Sequence, residues 1–467
     1  MADDSAARIV AALRLWVADA PAGTRLPSSR ALVAEHGASP VTVQRAIRQL
    51  VGLGLVETRP GVGTFVSASG PSRPADYGWQ TSALGPRTGR AALSSTQRAS
   101  LPDAIGLHSG YPARELLPER LVRAALSRAA RAETALTRSP VAGLPELQAW
   151  FAAQTAVGAP PGGAPAPRDV LVAAGSQSGL SSVFRALVGP GRPLLVESPT
   201  YWGAILAAEQ VGVTLVPVPS GAHGPDPDEV DRAFALTGAR AFYAQPTFAN
   251  PAGTQWPAGT ARAVLDVVRA RGAFLVEDDW AHDLAIDAEP RPLVGQDADG
   301  HVVYLRSLTK SVSPALRVAA VVARGPARER VLADRAAETM YVSGVLQAAA
   351  LDVVTQPGWA GHLRAMRRQL RDRRDLLVAS VREHAPQLHV EHVPAGGLNL
   401  WARLPDGTDV EQLVREGEAR GVLVAPGTEW FPAEPSGPYV RLNFAGEDPS
   451  RFPEAAALLG AALKAVV

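Results

Sequence analysis

Only two of the 46 basic residues are lysines, Lys310 and Lys464; the other 44 are arginines. Arginine serves ion pairing and anion binding, but its guanidinium stays charged near neutral pH and cannot supply the neutral amine that a Schiff base requires. Lys464 sits in ALLGAALKAVV, where a solvated lysine in a last helical turn needs no further role. Lys310 follows the apolar run VVYL in the small polar loop RSLTKS, and is the candidate reactive amine. Three other segments also end apolar runs on polar groups. In AAGSQSGLSSVFRAL a strand ends at Gly175 and a helix opens at about Ser178, so backbone N–H groups and Ser176 can cradle a phosphate. QPTFANPAG sets Asn250 at a strand end, where it either turns the chain or meets a ligand. EDDW sets Glu277, Asp278 and Asp279 at the carboxyl end of AFLV, where open α/β sheets gather ligands and where solvated loop acids also occur. His389 and His392, in EHAPQLHVEH with His384, fall three apart in a strand and face opposite sides, so no metal site is expected.

The elements that position these groups must come from 467 residues, enough for two or three folding units. With 46% hydrophobic and 19% charged residues, the chain can bury a large core and is not a wholly disordered protein. Its net charge is +1, so any basic surface is local. There is no cysteine, which excludes disulfides, thiolate zinc sites and cysteine nucleophiles. The opening MADDSAAR does not resemble a signal peptide, and no apolar run approaches the roughly 18 to 20 residues of a membrane span. A cytoplasmic protein without a membrane partner is expected.

Residues 1–68 read as one unit. ARIVAALRLWVAD carries a helical apolar stripe, a second helix runs from Ser28 to about His36, and a third from about Pro40 to Val51, with Ser39 as N-cap. On the third helix Val43, Ile47 and Leu50 share a face, leaving Thr42, Gln44, Arg45 and Arg48 off it. LVETRPGVGTFVSA alternates around a Gly/Pro turn as a β-hairpin. Three helices and a hairpin make a winged helix-turn-helix, whose third helix suits the DNA major groove; the alternative is a small protein-interaction module. Seven arginines against five acids give this segment a modest net +2.

The run GTRLPSSRALVAEHGASPVTVQRAIRQLVGLGLVETRPGVGTFV resembles the DNA-binding domain of the GntR family of bacterial regulators, in the LPSSR, ASxxTV and RxGxGTFV segments and their order. The resemblance implies that operator DNA meets Ser29, Arg30, Ser39, Thr42, Gln44, Arg45, Arg48 and Gly63. Arg30 then contacts phosphate, and Gly63 lets the wing approach the minor groove. Pro40 stands where the family often has arginine, which removes one contact and changes the operator preference.

Residues 69–104 are rich in Gly, Pro, Ser and Thr, with Arg73, Arg87, Arg90 and Arg98, and read as a flexible linker. Fully extended it reaches on the order of 120 Å. From about 105, the runs DVLVAAG, PLLVESP, TLVPVP, RAFYAQP, AFLVEDD, VVYLRS and VAAVVA alternate with helical stretches, which predicts a mostly parallel sheet covered on both faces over about 140–335. Beyond about 336 a long helix (361–384), LHVEHVP, GGLNLWARLP, a helix at 409–420, VLVAPG, YVRLNFA and a last helix read as a smaller α+β subdomain.

The phosphate loop, Asn250, the strand-end aspartate, SLTK and Arg317 in SPALRV, in this order, resemble fold-type I pyridoxal phosphate enzymes, specifically class I/II aminotransferases, over 105–467. ESPTYWG, GGLNLW and YVRLNFA fit the same family. A GntR head joined by a linker to such a body resembles the MocR-type regulators. By this resemblance Lys310 forms the imine with pyridoxal 5′-phosphate, and Asp278, with Asp279 as runner-up, keeps the pyridine nitrogen protonated. Asn250 bonds the phenolate oxygen and Tyr201 stacks on the ring. Ser176, Gln177, Ser307 and Arg317 hold the phosphate, and Arg441 takes the carboxylate of an amino-acid effector. Three positions depart from the family. Trp280 replaces a tyrosine, its indole N–H able to donate to the phenolate oxygen; Arg138 aligns with a tyrosine that reaches a partner's phosphate; Ala252 replaces a threonine. Together they make efficient turnover unexpected. The expected protein is a homodimeric, head-to-tail regulator that senses an amine, an amino acid or the cofactor. An active aminotransferase with an accessory DNA-binding head, and regulation by cofactor occupancy alone, are the alternatives.

Overall fold

A computed structural model describes residues 2–67, 77–84, 94–99, 103–156, 159 and 163–466. It separates into two compact units, Met1–Thr88 and Gly89–Val467. Arg73, Arg87 and Arg90 of the expected linker lie outside the described residues.

In the head, α1 (Ala2–Asp19), α2 (Ser29–His36) and α3 (Pro40–Gly52) precede an antiparallel hairpin of β1 (Val56–Arg59) and β2 (Gly63–Val66). Ser28 and Ser39 cap α2 and α3 by accepting from the N–H groups of Ala31 and Thr42, each at 3.2 Å. α2 ends on Gly37 in the left-handed region, φ 57°. The core follows the expected stripe except at Trp16, which is 38% exposed: Ile9, Leu13 and Val17 of α1 pack with Val43, Ile47 and Leu50 of α3 and with Val56 and Val66 of the hairpin. A short helix α4 (Gly78–Leu84) follows.

The second unit is built on an eight-stranded sheet. After β3 (Ile105–Gly106), its strands are β4 (Val170–Ala173), β5 (Pro193–Ser198), β6 (Thr214–Gly221), β7 (Gly224–Pro225), β8 (Ala241–Ala244), β9 (Phe274–Asp279), β10 (Val302–Ser307) and β11 (Ala319–Val322). Their order is β4-β11-β10-β9-β8-β5-β6-β7. β11 runs antiparallel to both neighbours and β7 antiparallel to β6; the other pairs are parallel. All seven expected strands are present. Alternate residues feed two cores: Val172, Phe242, Leu275 and Tyr304 enter one, and Leu171, Tyr243, Val276 and Leu305 the other. This period-2 division is what burial of both faces requires. Helices α5 (Glu119–Ala129), α6 (Pro145–Thr155), α9 (Pro227–Thr237), α10 (Ala258–Ala270) and α12 (Gly344–Thr355) cover the first face. Helices α7 (Ser176–Val183), α8 (Trp202–Val211) and α11 (Gly325–Thr339) cover the second.

A smaller four-stranded sheet follows the 27-residue helix α13 (Gly358–His384). It contains β12 (His389–Val390), β13 (Asn399–Arg403), β15 (Ala425–Pro426) and β16 (Tyr439–Asn443), in the order β12-β13-β16-β15, with α14 (Val410–Ala419) and α15 (Phe452–Val466) packed on it. Between them β14 (Val422–Leu423) pairs in parallel with β3. Two sequence boundaries shift. Position 335 falls inside α11, because Val331 packs on the large sheet. Ile105, Leu107 and Leu116 join the core of the small subdomain, which is therefore assembled from both ends of the body.

Candidate functional site: a polar cavity in the body and the third helix of the head

The carboxyl ends of the parallel strands open onto a cavity of about 400 Å³. Ser176, Gln177, Tyr201, Asn250, Asp278, Trp280, Ser307, Lys310, Arg317 and Arg441, the residues named from sequence, all line it. The row Ser307–Ala319–Ala173 across β10, β11 and β4 brings three of these segments together. At one end, Gly175 takes φ +89° and α7 opens at Ser176. A Cβ on Gly175 would lie 2.4 Å from the Arg317 guanidinium, so the glycine leaves room for a cation beside free helical N–H groups. Gln177 donates through Nε2 to the Gly203 carbonyl at 2.7 Å, which turns its side chain toward α8.

Asp278 is 1% exposed, and its Oδ2 accepts from the Tyr243 hydroxyl and from Gln245 Nε2, both at 2.8 Å. Its Oδ1 is buried with no partner among the described residues. Burial pushes its carboxyl up to about 6, against the two hydrogen bonds that favour the anion and together with the charge of Asp279. An oxygen so placed is an acceptor waiting for a cationic N–H. Asp279 points the other way, accepting from Tyr304 at 2.8 Å and bonding His282 Nδ1 at 2.6 Å, and does not line the cavity. Glu277, on that same face, accepts from the N–H groups of Leu293 and Val294 and is pushed up to about 8 by burial and by Asp279.

Lys310 Nζ donates to the Gly110 carbonyl at 2.6 Å and lies 3.2 Å from the centre of the Tyr111 ring. Burial, then Arg441 and Arg317, hold its ammonium well below the usual lysine range. Tyr201 forms a flat wall; a Cβ on Gly203 would come within 2.4 Å of its ring. Its phenol is raised by burial and by the Asp278 charge. Asn250 is tied by its own N–H to Gln245 Oε1 at 2.8 Å. Trp280 departs from expectation: its indole N–H donates to the Phe248 carbonyl at 3.0 Å, so the ring lines the cavity but its donor is committed to the backbone.

Arg441, 1% exposed, donates through Nη2 to the carbonyls of His108 (2.6 Å) and Ser109 (2.9 Å), and lies 4.8 Å above the Trp430 ring. Its Nε has no partner among the described residues, and burial lowers its guanidinium to about 10 despite Glu429 and Tyr201. An anionic ligand relieves a buried cation of this kind. Several lining residues were missed from sequence: Gln245, Thr309, Tyr111, Thr96 and Gln97. Gln245 lies one residue beyond β8, and its place opposite Asp278 was open to notice; the others sit in loops that carry no periodic signal.

In the head, Gln44, Arg45 and Arg48 are exposed on α3 opposite the buried Val43 and Ile47, and Arg30 is exposed on α2. Thr42 and Ser29 are half-buried, with the Thr42 hydroxyl 2.9 Å from Ser39 Oγ. Gly63 takes φ +147° where the wing begins, and a Cβ there would meet Arg25 Nε at 2.7 Å.

The gntR family of bacterial regulatory proteins matches residues 5–66, and the family described as aminotransferase class I and II matches residues 102–459. The 2-aminoadipate transaminase of Thermus thermophilus is 30% identical over 81% of this chain and 94% of its own length. The probable rhizopine catabolism regulatory protein MocR of Rhizobium meliloti is 30% identical over 93% of this chain and 88% of its own. Among solved structures, the α-aminoadipate aminotransferase LysN of Thermus thermophilus, complexed with N-(5′-phosphopyridoxyl)-L-leucine, superposes with a TM-score of 0.71 at 28% identity, over 80% of this chain and 96% of that one. The cofactor of this cavity is pyridoxal 5′-phosphate, and the unpartnered Asp278 Oδ1 and the cradle at Gly175 fit its pyridinium and its phosphate. With its aminotransferase match running through most of its length behind a gntR-type head, the chain belongs to the class I and II aminotransferase family, in the MocR-type architecture of a winged helix fused to that body.

Proposed function

We propose that this chain is a transcriptional regulator in which residues 1–68 bind operator DNA and the body from about 105 senses an amino compound at its pyridoxal phosphate site. The observation that carries the reading is the coexistence, in one polypeptide, of an exposed polar face on α3 and a polar cavity lined by Asn250, Asp278, Lys310 and Arg317. Bound there, the cofactor supplies an aldehyde that condenses with amines and a ring that draws electrons from the attached carbon. In this reading Asp278 holds a proton on the ring nitrogen, Asn250 positions the phenolate edge, and Tyr201 shields one face from water. Ser176, Gln177, Ser307 and Arg317 hold the phosphate, with Arg317 the one full charge. Lys310, its charge suppressed by burial, would supply the amine that holds the aldehyde. Arg441 takes the ligand's carboxylate.

The protein acts in the cytoplasm, where its DNA is, as a homodimer. Leu136 (89% exposed) and Met340 (69%) support self-association, and the segments that carry them pack on each other. Arg138, between Leu136 and Val141, is exposed and is suited to reach a partner's phosphate. The 30% identity to a transaminase favours a second reading, an active aminotransferase with a DNA-binding head. Both are tested by mixing the full-length holoprotein with each common amino acid while following keto-acid release and binding to DNA from beside its own gene. The regulator reading expects operator affinity to change with one or few amino compounds and release to stop near one equivalent. Multiple turnovers at ordinary enzyme rates overturn it, and dependence on cofactor occupancy alone removes the second ligand.

A further inference from the structure

One wall of the cofactor cavity comes from the chain that leads in from the head. Thr96 and Gln97, in the single turn Ser95–Gln97, line the cavity with Lys310, Tyr201 and Arg441. This turn was expected to belong to a free linker, yet it is sewn into the body on both sides. Ser94 Oγ donates to Glu429 at 2.5 Å and the Ser95 N–H donates to the same carboxylate at 2.8 Å. The Arg98 guanidinium pairs with Glu418 at 3.0 Å, and the Arg98 carbonyl lies 3.0 Å from His108 Nε2. Ser94, Ser95 and Thr96 are all less than a tenth exposed.

The anchors of this strap also hold Arg441. Glu429 precedes Trp430, whose ring lies beneath the Arg441 guanidinium, and the His108 carbonyl accepts from Arg441. The groups assigned above to phosphate, ring nitrogen, phenolate and amine leave Thr96 and Gln97 without a role toward the cofactor. Gln97 is exposed at the cavity wall and carries both a donor and an acceptor in one amide, the equipment for a polar side chain rather than an apolar one. Thr96 Oγ1 lies 3.0 Å from Ser94 Oγ, which fixes the turn.

We infer that Gln97, positioned by Thr96 and by the Ser94–Glu429 anchor, reads the side chain of an amino acid whose carboxylate is on Arg441, and that the site prefers a polar side chain. The inference rests on the pyridoxal phosphate reading of the cavity. Its consequence is that the ligand touches the stretch of chain that continues toward the DNA-binding head. Loss or gain of the ligand then changes the order of the tether's last turn, a differential contact of the sort that a ligand-driven shift requires.

The test uses the full chain freed of cofactor and three probes: pyridoxamine 5′-phosphate, N-(5′-phosphopyridoxyl)-L-glutamate and N-(5′-phosphopyridoxyl)-L-leucine. Because Gln97 is exposed, Gln97→Ala leaves the fold intact. Equilibrium binding is expected to show the variant losing fivefold or more for the glutamate adduct and less than twofold for the other two. Hydrogen exchange in the peptide over 94–99 of the wild type is expected to slow at least fivefold with the glutamate adduct relative to pyridoxamine phosphate. Equal losses for all three probes, no loss, or unchanged exchange in that peptide each overturn the inference and leave the cofactor reading standing. Failure of the wild type to bind any of the three overturns both.

Discussion

In the proposed reading Lys310 is the reactive amine of the body, and its surroundings account for the choice of lysine. An amine enclosed near two guanidiniums loses its proton more readily than one in water, whereas arginine in the same place stays charged. Lys310→Ala is expected to abolish the yellow, borohydride-reducible chromophore of the holoprotein while leaving the head's folding unchanged; a surviving chromophore would falsify the assignment. Asp278 gives a pH-dependent signature. Its carboxyl titrates at about 6 in the folded chain against a usual 3.8, so the folded state keeps its proton over that interval while the unfolded state releases it. The sign follows: the cofactor-free fold loses stability from this group as pH rises from about 4 to 6, by about 3 kcal/mol in full, and the loss stays constant above. Asp278→Asn escapes it. Without cofactor, the variant's stability relative to wild type is expected to grow by about 1–2 kcal/mol between pH 5 and pH 8 in urea titrations. Equal differences at the two pH values would remove burial as the cause. With cofactor the order reverses, because the amide cannot hold the ring's proton.

At the scale of elements, the turn before α7 and the helix α3 each bear part of the proposed binding. The turn before α7 depends on Gly175, where φ +89° and the guanidinium 2.4 Å from a would-be Cβ both exclude alanine. Gly175→Ala is expected to weaken cofactor binding at least tenfold, measured by equilibrium dialysis, with the DNA affinity of the head unaltered. An unchanged dissociation constant would show that Arg317 and the helix end are dispensable for the phosphate. On α3, the apolar stripe fixes which side faces out, so Arg45→Ala with Arg30→Ala is expected to abolish the operator shift and to flatten the salt dependence of residual binding. These elements were legible because their signals are periodic: Val43, Ile47 and Leu50 repeat at helical spacing, and the strands are apolar on both faces. The resemblance preferred Asp278 to Asp279, but strand periodicity alone could not, since neighbours on a strand point to opposite faces and the sequence does not say which face holds the ligand. The Ser95–Gln97 turn was hidden for a different reason. Its anchors, Glu429 and Glu418, lie more than 300 residues away, and its polar composition is also that of a linker.

For the whole molecule, the assignments of Leu136, Arg138 and Met340 predict one assembly. Met340 sits at the end of α11 with φ +59°, a conformation unusual for a residue with a side chain, and holds its side chain 69% exposed. Leu136→Asp with Met340→Asp is expected to convert a dimer to a monomer in sedimentation equilibrium and to cost operator affinity through loss of the second half-site contact. A dimer that persists places the interface elsewhere.

The hairpin of β10 and β11 beside β4 has a further effect. Ser307, Ala319 and Ala173 stand in one hydrogen-bonded row, with Lys310 and Arg317 in the loop between the hairpin's strands and Gly175 just past the row. In the proposed reading the amine and the anion clamp are thus carried by directly paired strands, like jaws on one frame. In this reading, a compound that spans them carries a carbonyl directly on an aromatic ring and an anionic group one carbon removed from the adjacent ring position. Pyridoxal without its phosphate would then fill one jaw only, and the protein is expected to select among forms of the same vitamin by length and charge.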